Sequence, residues 1–451
     1  MIKKILALSL AMALLPAETI AQTLDSTSQR QGERAAPMDF QGRYLVSISD
    51  ADMLASAYVN GQLGPREGED ALSVIPLGSH VRDLQTYETP ASNSVAGPPN
   101  AVAVTPDGRY AFVVETFRQR PEGAAETQTF ADLTHGNRLT VFDLSDPTRP
   151  TQVQELAIAE RPDSVSVNFD GSLVAVSINP QGAGTNTPLA LIPFQNGRLG
   201  QPVYPSVSNI PSRQRLIHAQ WHPQRNVLAL VNETAAELSF IQVGSDLQVQ
   251  PWGNVVKIEK APYIAQFTSD GRHVLVNGLY WGADVEGTWS EAPRGSVVSV
   301  QLEAGIQDDG SPRHALVSRA MTGVSPEGLA ISPNDRYVVT TNLERSYLPY
   351  DDNRITWFSS LSLITLDPQT GQLNHVADYP FDGILPEAAA FHASSQYLAV
   401  ANYDHFDDRI QGGSIDFWRI AVDPLNPQPM LVQTRYAVPV TRGAHSLVLV
   451  P

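Results

Sequence analysis

Hydrophobic and polar positions alternate along most of the chain in short runs of about six residues. The runs are separated by turns rich in Pro, Gly, Asp and Asn. The clearest is "PNAVAVTPDGRYAFVVET" (99–116), an apolar strand, a Pro106-Asp107-Gly108 turn and a second strand rich in Val and aromatics. The unit recurs as "PDSVSVNFDGSLVAVSIN" (162–179), "PYIAQFTSDGRHVLVNGL" (262–279), "PEGLAISPNDRYVVTTNL" (326–343) and "PEAAAFHASSQYLAVANY" (386–403). A looser copy is "IHAQWHPQRNVLALVNE" (217–233). A second hairpin follows each, as in "LSLITLDPQTGQLNHVADY" (361–379).

Four strands per unit, repeated along the chain, predict an all-β fold, a β-propeller. A sandwich would not repeat one hairpin six times. Two fragments are left over. "HSLVLVP" at the C-terminus aligns with the first strand of the unit, and "QGRYLVSISD" (41–50) with the second; "ALSVIPL" (71–77) supplies a third. Joined, they predict a seventh blade of four antiparallel strands, closed by pairing of the N- and C-terminal strands. Closure leaves no free sheet edge.

The first 21 residues read as a secretory signal peptide, with Lys3 and Lys4, an apolar stretch from Ile5 to Leu15 and cleavage after Ala21. Residues 22–38 read as a flexible polar linker and 39–451 as the propeller. This predicts a periplasmic or secreted protein with no membrane anchor, since no apolar run is long enough to span a bilayer. The formal charge is −17. It argues against nucleic acid as a partner and leaves a small-molecule ligand or an envelope protein. No cysteine is present, which excludes disulfides, thiolate metal sites and cysteine nucleophiles.

Several units resemble known families. "IHAQWHPQRNVLALVNE" is similar to a stretch of the seven-bladed lactonase family that includes 6-phosphogluconolactonase. "PDGRYAFVVE" and "NDRYVVTTN" resemble the YVTN-type repeats of exported bacterial propellers. The resemblance implies a seven-bladed fold and a lactone- or ester-hydrolysing site on blade 3. There it implies roles for His218, Asn232 and Glu233. The arginine that the family places before the histidine is Ile217 here, with Arg215 two residues displaced.

The long loops and the start of strand one share the upper face, where binding sites usually sit. Aromatics in those loops are Tyr280, Trp281, Trp289, Tyr347, Tyr350 and Phe406. The residues leading strand one into the channel are Asn100, Asp163, Ile217, Tyr263, Glu327, Glu387 and His445. At the same height strand two ends with Asn232, Asn342, Asn402 or Glu115. Glu327, Glu387 and His445 should therefore form an acidic arc backed by Asn342 and Asn402. Three readings stay open. The arc could bind a divalent cation, Ca²⁺, Mg²⁺ or a transition metal. It could do acid–base work on a lactone or ester, or order channel water as a structural network. The alternative to a small-ligand site is a non-catalytic scaffold presenting the aromatic loops to a protein partner.

Overall fold

The computed structural model describes residues 40–78, 80–93, 100–180, 187–208, 210, 214–258, 260–280, 293–407, 409–423 and 426–451. The predicted signal peptide and linker, and Trp281 and Trp289, lie outside the described residues. No helix among the described residues is long and apolar enough to cross a membrane.

The alternating runs form seven antiparallel sheets, each paired in the order one to four from the channel outward. Blade 1 is built from strands 102–104, 110–117, 135–143 and 151–157, and blade 2 from 162–167, 173–178, 189–195 and 198–199. Blade 3 has 216–221, 227–232, 237–243 and 249–251, with a short strand, 256–257, pairing along its third. Blades 4, 5 and 6 begin with 262–267, 326–331 and 384–391. Blade 7 takes its first strand, 444–450, from the C-terminus and its others, 44–49, 71–76 and 87–90, from the N-terminal part of the described chain. The closing register sets Val46 opposite Val448 and Leu45 opposite Leu449, as predicted. The first strands contact one another around the ring, 444–450 lying between 384–391 and 102–104. The apolar cores lie between neighbouring blades: Val450, Tyr44, Val46, Phe112 and Phe142 share one cluster, and Ile217, Val276, Val298 and Leu329 share another.

One local device recurs where strand one begins. The pairing of strands one and two skips a register in blades 2, 3, 4, 5 and 6 just after Pro162, Leu216, Pro262, Pro326 and Pro386. Blade 7 does the same between Ser446 and Ala444. The residues bulged out are Asp163, Ile217, Tyr263 with Ile264, Glu327, Glu387 and His445. A bulge re-aims a side chain and is common beside functional sites. Proline suits a strand's first position because it lacks the N–H a ladder would need.

The residue ahead of the bulge is left-handed in five blades: Arg161 (φ 58°), Ala261 (51°), Ser325 (53°), Leu385 (47°) and Gly443 (86°). In four of them the carbonyl of this residue accepts a backbone N–H from just past strand two: Asn179 to Arg161, Leu279 to Ala261, Leu343 to Ser325 and Asp50 to Gly443. The four non-glycine residues hold this conformation ahead of proline, which favours extended backbone there. A Cβ at 443 would overlap the Asp50 backbone. Gly443→Ala should therefore cost about 3 kcal/mol or more in urea unfolding, whereas Ala261→Gly should be neutral or stabilising by up to about 1 kcal/mol. Equal effects at the two positions would refute the shared geometry.

Candidate functional site

The bulges put a band of polar side chains at the upper end of the channel. Asp163 is fully buried, and its Oδ2 accepts from Arg215 Nε at 2.7 Å. Arg215 also donates from Nη1 to Glu233 Oε2 at 3.3 Å. Burial works against the guanidinium charge, but Asp163 and then Glu233 outweigh it and raise the arginine's pKa. The side chains of Arg215 and Glu233 keep 20% and 36% of their surface exposed, so this end of the band is reachable from solvent.

Tyr263, next around the ring, donates its hydroxyl to Glu327 Oε1 at 2.9 Å. Burial pushes the Glu327 carboxyl up to about 8, the Tyr263 hydrogen bond opposing it. Glu387 follows in blade 6, fully buried, with neither carboxylate oxygen hydrogen-bonded among the described residues. Burial, then the charges of Glu327 and Asp50, push it well above the ordinary carboxylate range. Burial thus favours the protonated form of both carboxyls, because ionising them would place two poorly solvated like charges near each other. Asn277 fixes the Glu327 backbone, its amide donating to the carbonyls of Pro326 and Glu327 at 2.7 and 2.8 Å. Asn277 was not anticipated: it is the next-to-last residue of its strand, 273–278, one place before the position that Asn232 and Asn342 hold in theirs.

The other predicted residues have separate duties. His445 is fully buried, and its Nε2 lies 2.7 Å from Asn93 Oδ1. Burial lowers it to about 3, so it is neutral. Its ligand atoms do not join those of Glu327 and Glu387 within 4.8 Å; among the described residues, the acidic or histidine trio that does so is Asp50, Asp52 and Asp70. The asparagines predicted to back the arc turn outward along their blades instead. Asn342 donates to Ser360 and Ser362 at 2.9 Å, and Asn402 to Ser414 at 3.3 Å, because strand three offers serine hydroxyls at that height.

Asn232 donates to Gln214 and accepts from Ala235 N–H. Glu115 accepts from Ser92 at 2.7 Å and lies 3.6 Å from Arg138, joining blade 1 to blade 7. Asn100 borders the channel itself, a cavity of about 370 Å³ walled by Val102, Val165, Ala330 and Leu447. On blade 3, Ile217 is packed in the apolar core. His218 is buried between first strands, its Nδ1 accepting the Ala265 N–H at 3.0 Å, and burial lowers it to about 3. Arg215, not residue 217, carries the guanidinium to the channel mouth.

Residues 51–70, a connection inside blade 7, were not anticipated as part of the site. This segment contacts three blades. Leu63 N–H donates to Gln128 O and Phe130 N–H to Gly61 O on the blade 1 loop. Met53, Ala55, Ala57 and Leu63 pack with Leu343, Tyr347 and Leu348 of blade 5 and with Ile384, Leu385 and Tyr403 of blade 6. It caps the blade 5–6 side of the mouth, which explains why Glu327 and Glu387 are 6% and 0% exposed. Its apolar positions (Met53, Leu54, Tyr58, Val59, Leu63) were the available signal, but they lack strand periodicity.

The Asp50, Asp52 and Asp70 trio secures the two ends of this cap. N–H groups of Ala51 and Asn93 donate to Asp70, that of Asp52 to Asp50, and that of Arg120 to Asp52. Arg442, almost wholly buried, donates to the carbonyls of Ala51 and Pro65. The carboxylates that could hold a metal thus already accept backbone N–H bonds.

No family model matches this sequence, and comparison with curated proteins finds no match. Solved structures do resemble it. The periplasmic gluconolactonase of Pseudomonas aeruginosa superposes with a TM-score of 0.56 at 18% identity, covering 90% of this chain and 99% of that one. A Bacteroides uniformis protein provisionally described as a 6-phosphogluconolactonase gives 0.57 at 14% identity, covering 90% and 100%. A similarly described Bacteroides fragilis protein gives 0.56 at 13%, covering 91% and 98%. At these identities the likeness establishes the seven-bladed fold; function has to be argued from the site.

Proposed function

We propose that this protein hydrolyses a lactone or related cyclic ester at the polar band of blades 2–5, acting in the periplasm. The observation that carries the reading is Arg215, which the fold delivers to Asp163 and Glu233 at the channel mouth. It supplies the guanidinium that Ile217 cannot. Nη2 is left to meet the ester carbonyl oxygen, where a planar cation best stabilises the negative charge that develops. Glu233 takes a proton from the attacking water. Glu327, held protonated beside Tyr263, gives its proton to the ring oxygen as the C–O bond breaks. Water is consumed, a hydroxy acid leaves, and the two carboxyl groups exchange protons with solvent to reset.

The N-terminal stretch that reads as an export signal, and the likeness to a periplasmic gluconolactonase and to proteins provisionally described as 6-phosphogluconolactonases, support the substrate class and the compartment. The substrate enters from the blade 2–3 side, where Arg215 and Glu233 are exposed; the cap covers the Glu327 end. A lactone panel that includes glucono-δ-lactone tests the proposal. Arg215→Ala should lower kcat/KM about 10²–10³-fold, and Arg215→Lys should recover little because the fork is lost. Unchanged turnover in Arg215→Ala would overturn the assignment.

A further inference from the structure

On the upper face of blades 5–7, beside the cap, lies a cleft of about 470 Å³ that the lactone site does not use. Its walls are apolar at Leu54, Leu348, Ile384 and Ile410, and Tyr350 stands in its lining. Tyr350 is 51% exposed and Trp357 56%. Their rings are 5.4 Å apart, and Phe406 lies 5.4 Å from Trp357, so the three form one aromatic bank open to solvent.

Two carboxylates line the same cleft, and they differ. Glu67 is neutralised by the buried Arg442 guanidinium at 2.6 Å. Asp404 is half-buried and accepts the His405 N–H at 2.8 Å. Among the described residues it has no salt-bridge partner. Arg442 acts on it only at a distance, and burial is the larger influence on its charge. His405, also in the lining, has an Nε2 with no hydrogen-bond partner among the described residues.

We propose that this cleft binds a small organic cation, an ammonium group carried on an apolar body. Asp404 is the counter-ion, the aromatic bank offers its π faces to the cation, and the aliphatic walls take the body. An ammonium supplies the positive charge that a half-buried, unpaired carboxylate lacks. An anionic ligand would meet Asp404 and a chain of net charge −17, so the sign of the ligand follows from the site. The inference is independent of the lactone reading, since it shares no residue with Arg215, Glu233 or Glu327.

Calorimetric titration of the whole protein with benzyltrimethylammonium, and with benzyl alcohol as its neutral counterpart, tests it at physiological salt. The cation should bind saturably and the alcohol at least about tenfold more weakly. Asp404→Asn and Tyr350→Ala should each weaken the cation about tenfold or more while thermal melts stay close to those of the parent. Trp357→Ala, on the exposed outer ring, gives a second reading of the bank should Asp404→Asn fold poorly. Equal binding of the two probes, no binding of either, or full affinity in Asp404→Asn and in the two aromatic variants would overturn the proposal.

Discussion

Replacing Glu327 and Glu387 together by glutamine should raise stability at pH 8 and abolish lactone turnover. Both carboxyls have folded-state pKa values above the unfolded ones, Glu327 at about 8 against an ordinary 4.5. The folded protein therefore holds more protons than the unfolded chain across that interval, and its stability falls as pH rises through it. Each unit of elevation corresponds to about 1.4 kcal/mol, so the parent should lose on the order of a few kcal/mol between pH 4.5 and 8. Glutamine resembles the protonated carboxyl and carries no charge to desolvate. The double variant should show a flat pH–stability profile over the same range by urea unfolding.

Turnover should fall in the same direction. A protonated Glu327 is needed to release the ring oxygen, so the parent's rate should decline as pH passes about 8, and glutamine cannot donate in its place. A double variant no more stable than the parent at pH 8 would show that these carboxyls are not held protonated by burial. A stabilised variant with full activity would keep the buried pair and remove Glu327 from the reaction.

Deleting residues 444–451 should abolish cooperative folding. The strand they form pairs with 44–49, whose six residues are all buried, and its loss exposes that ladder to water. Leu447, Val448, Leu449 and Val450 contribute on the order of 6–8 kcal/mol of apolar burial, comparable with the ~5–15 kcal/mol net stability of a typical domain. A circular permutant that joins residue 451 to residue 40 and opens the chain in an outer loop should retain a single unfolding transition, because it keeps every ladder. A truncated chain that melts like the parent would mean that the closing strand is dispensable. Calorimetry on the two chains decides between these outcomes.

How much of this was legible beforehand varies residue by residue. Glu327, Glu387, Asp163 and Tyr263 could be placed at the channel mouth because each follows the start of a repeated strand. The repeat carried the bulge with it, although the bulge itself has no direct sequence mark. Arg215 was noticed but set aside as two residues out of place. A long side chain can cover that offset, and only the position of Asp163 on the neighbouring blade shows that it does. His445, Asn342 and Asn402 were placed at the right height, yet their partners on other strands, Asn93, Ser360, Ser362 and Ser414, decided where their polar atoms point.

The sequence by itself determined six copies of one hairpin, the two fragments that join into a seventh blade, and the ring order of the residues leading into the channel. All of these follow from alternation and turn chemistry, which act over a few neighbouring positions and survive without knowledge of distant contacts. Tertiary structure alone decided that the 51–70 connection caps the mouth, that Glu387 is left with unpartnered oxygens, and that Arg215 reaches across from one blade to the next. Those outcomes depend on which groups meet through space and how much water remains between them. That is a property of the closed ring, not of any one segment.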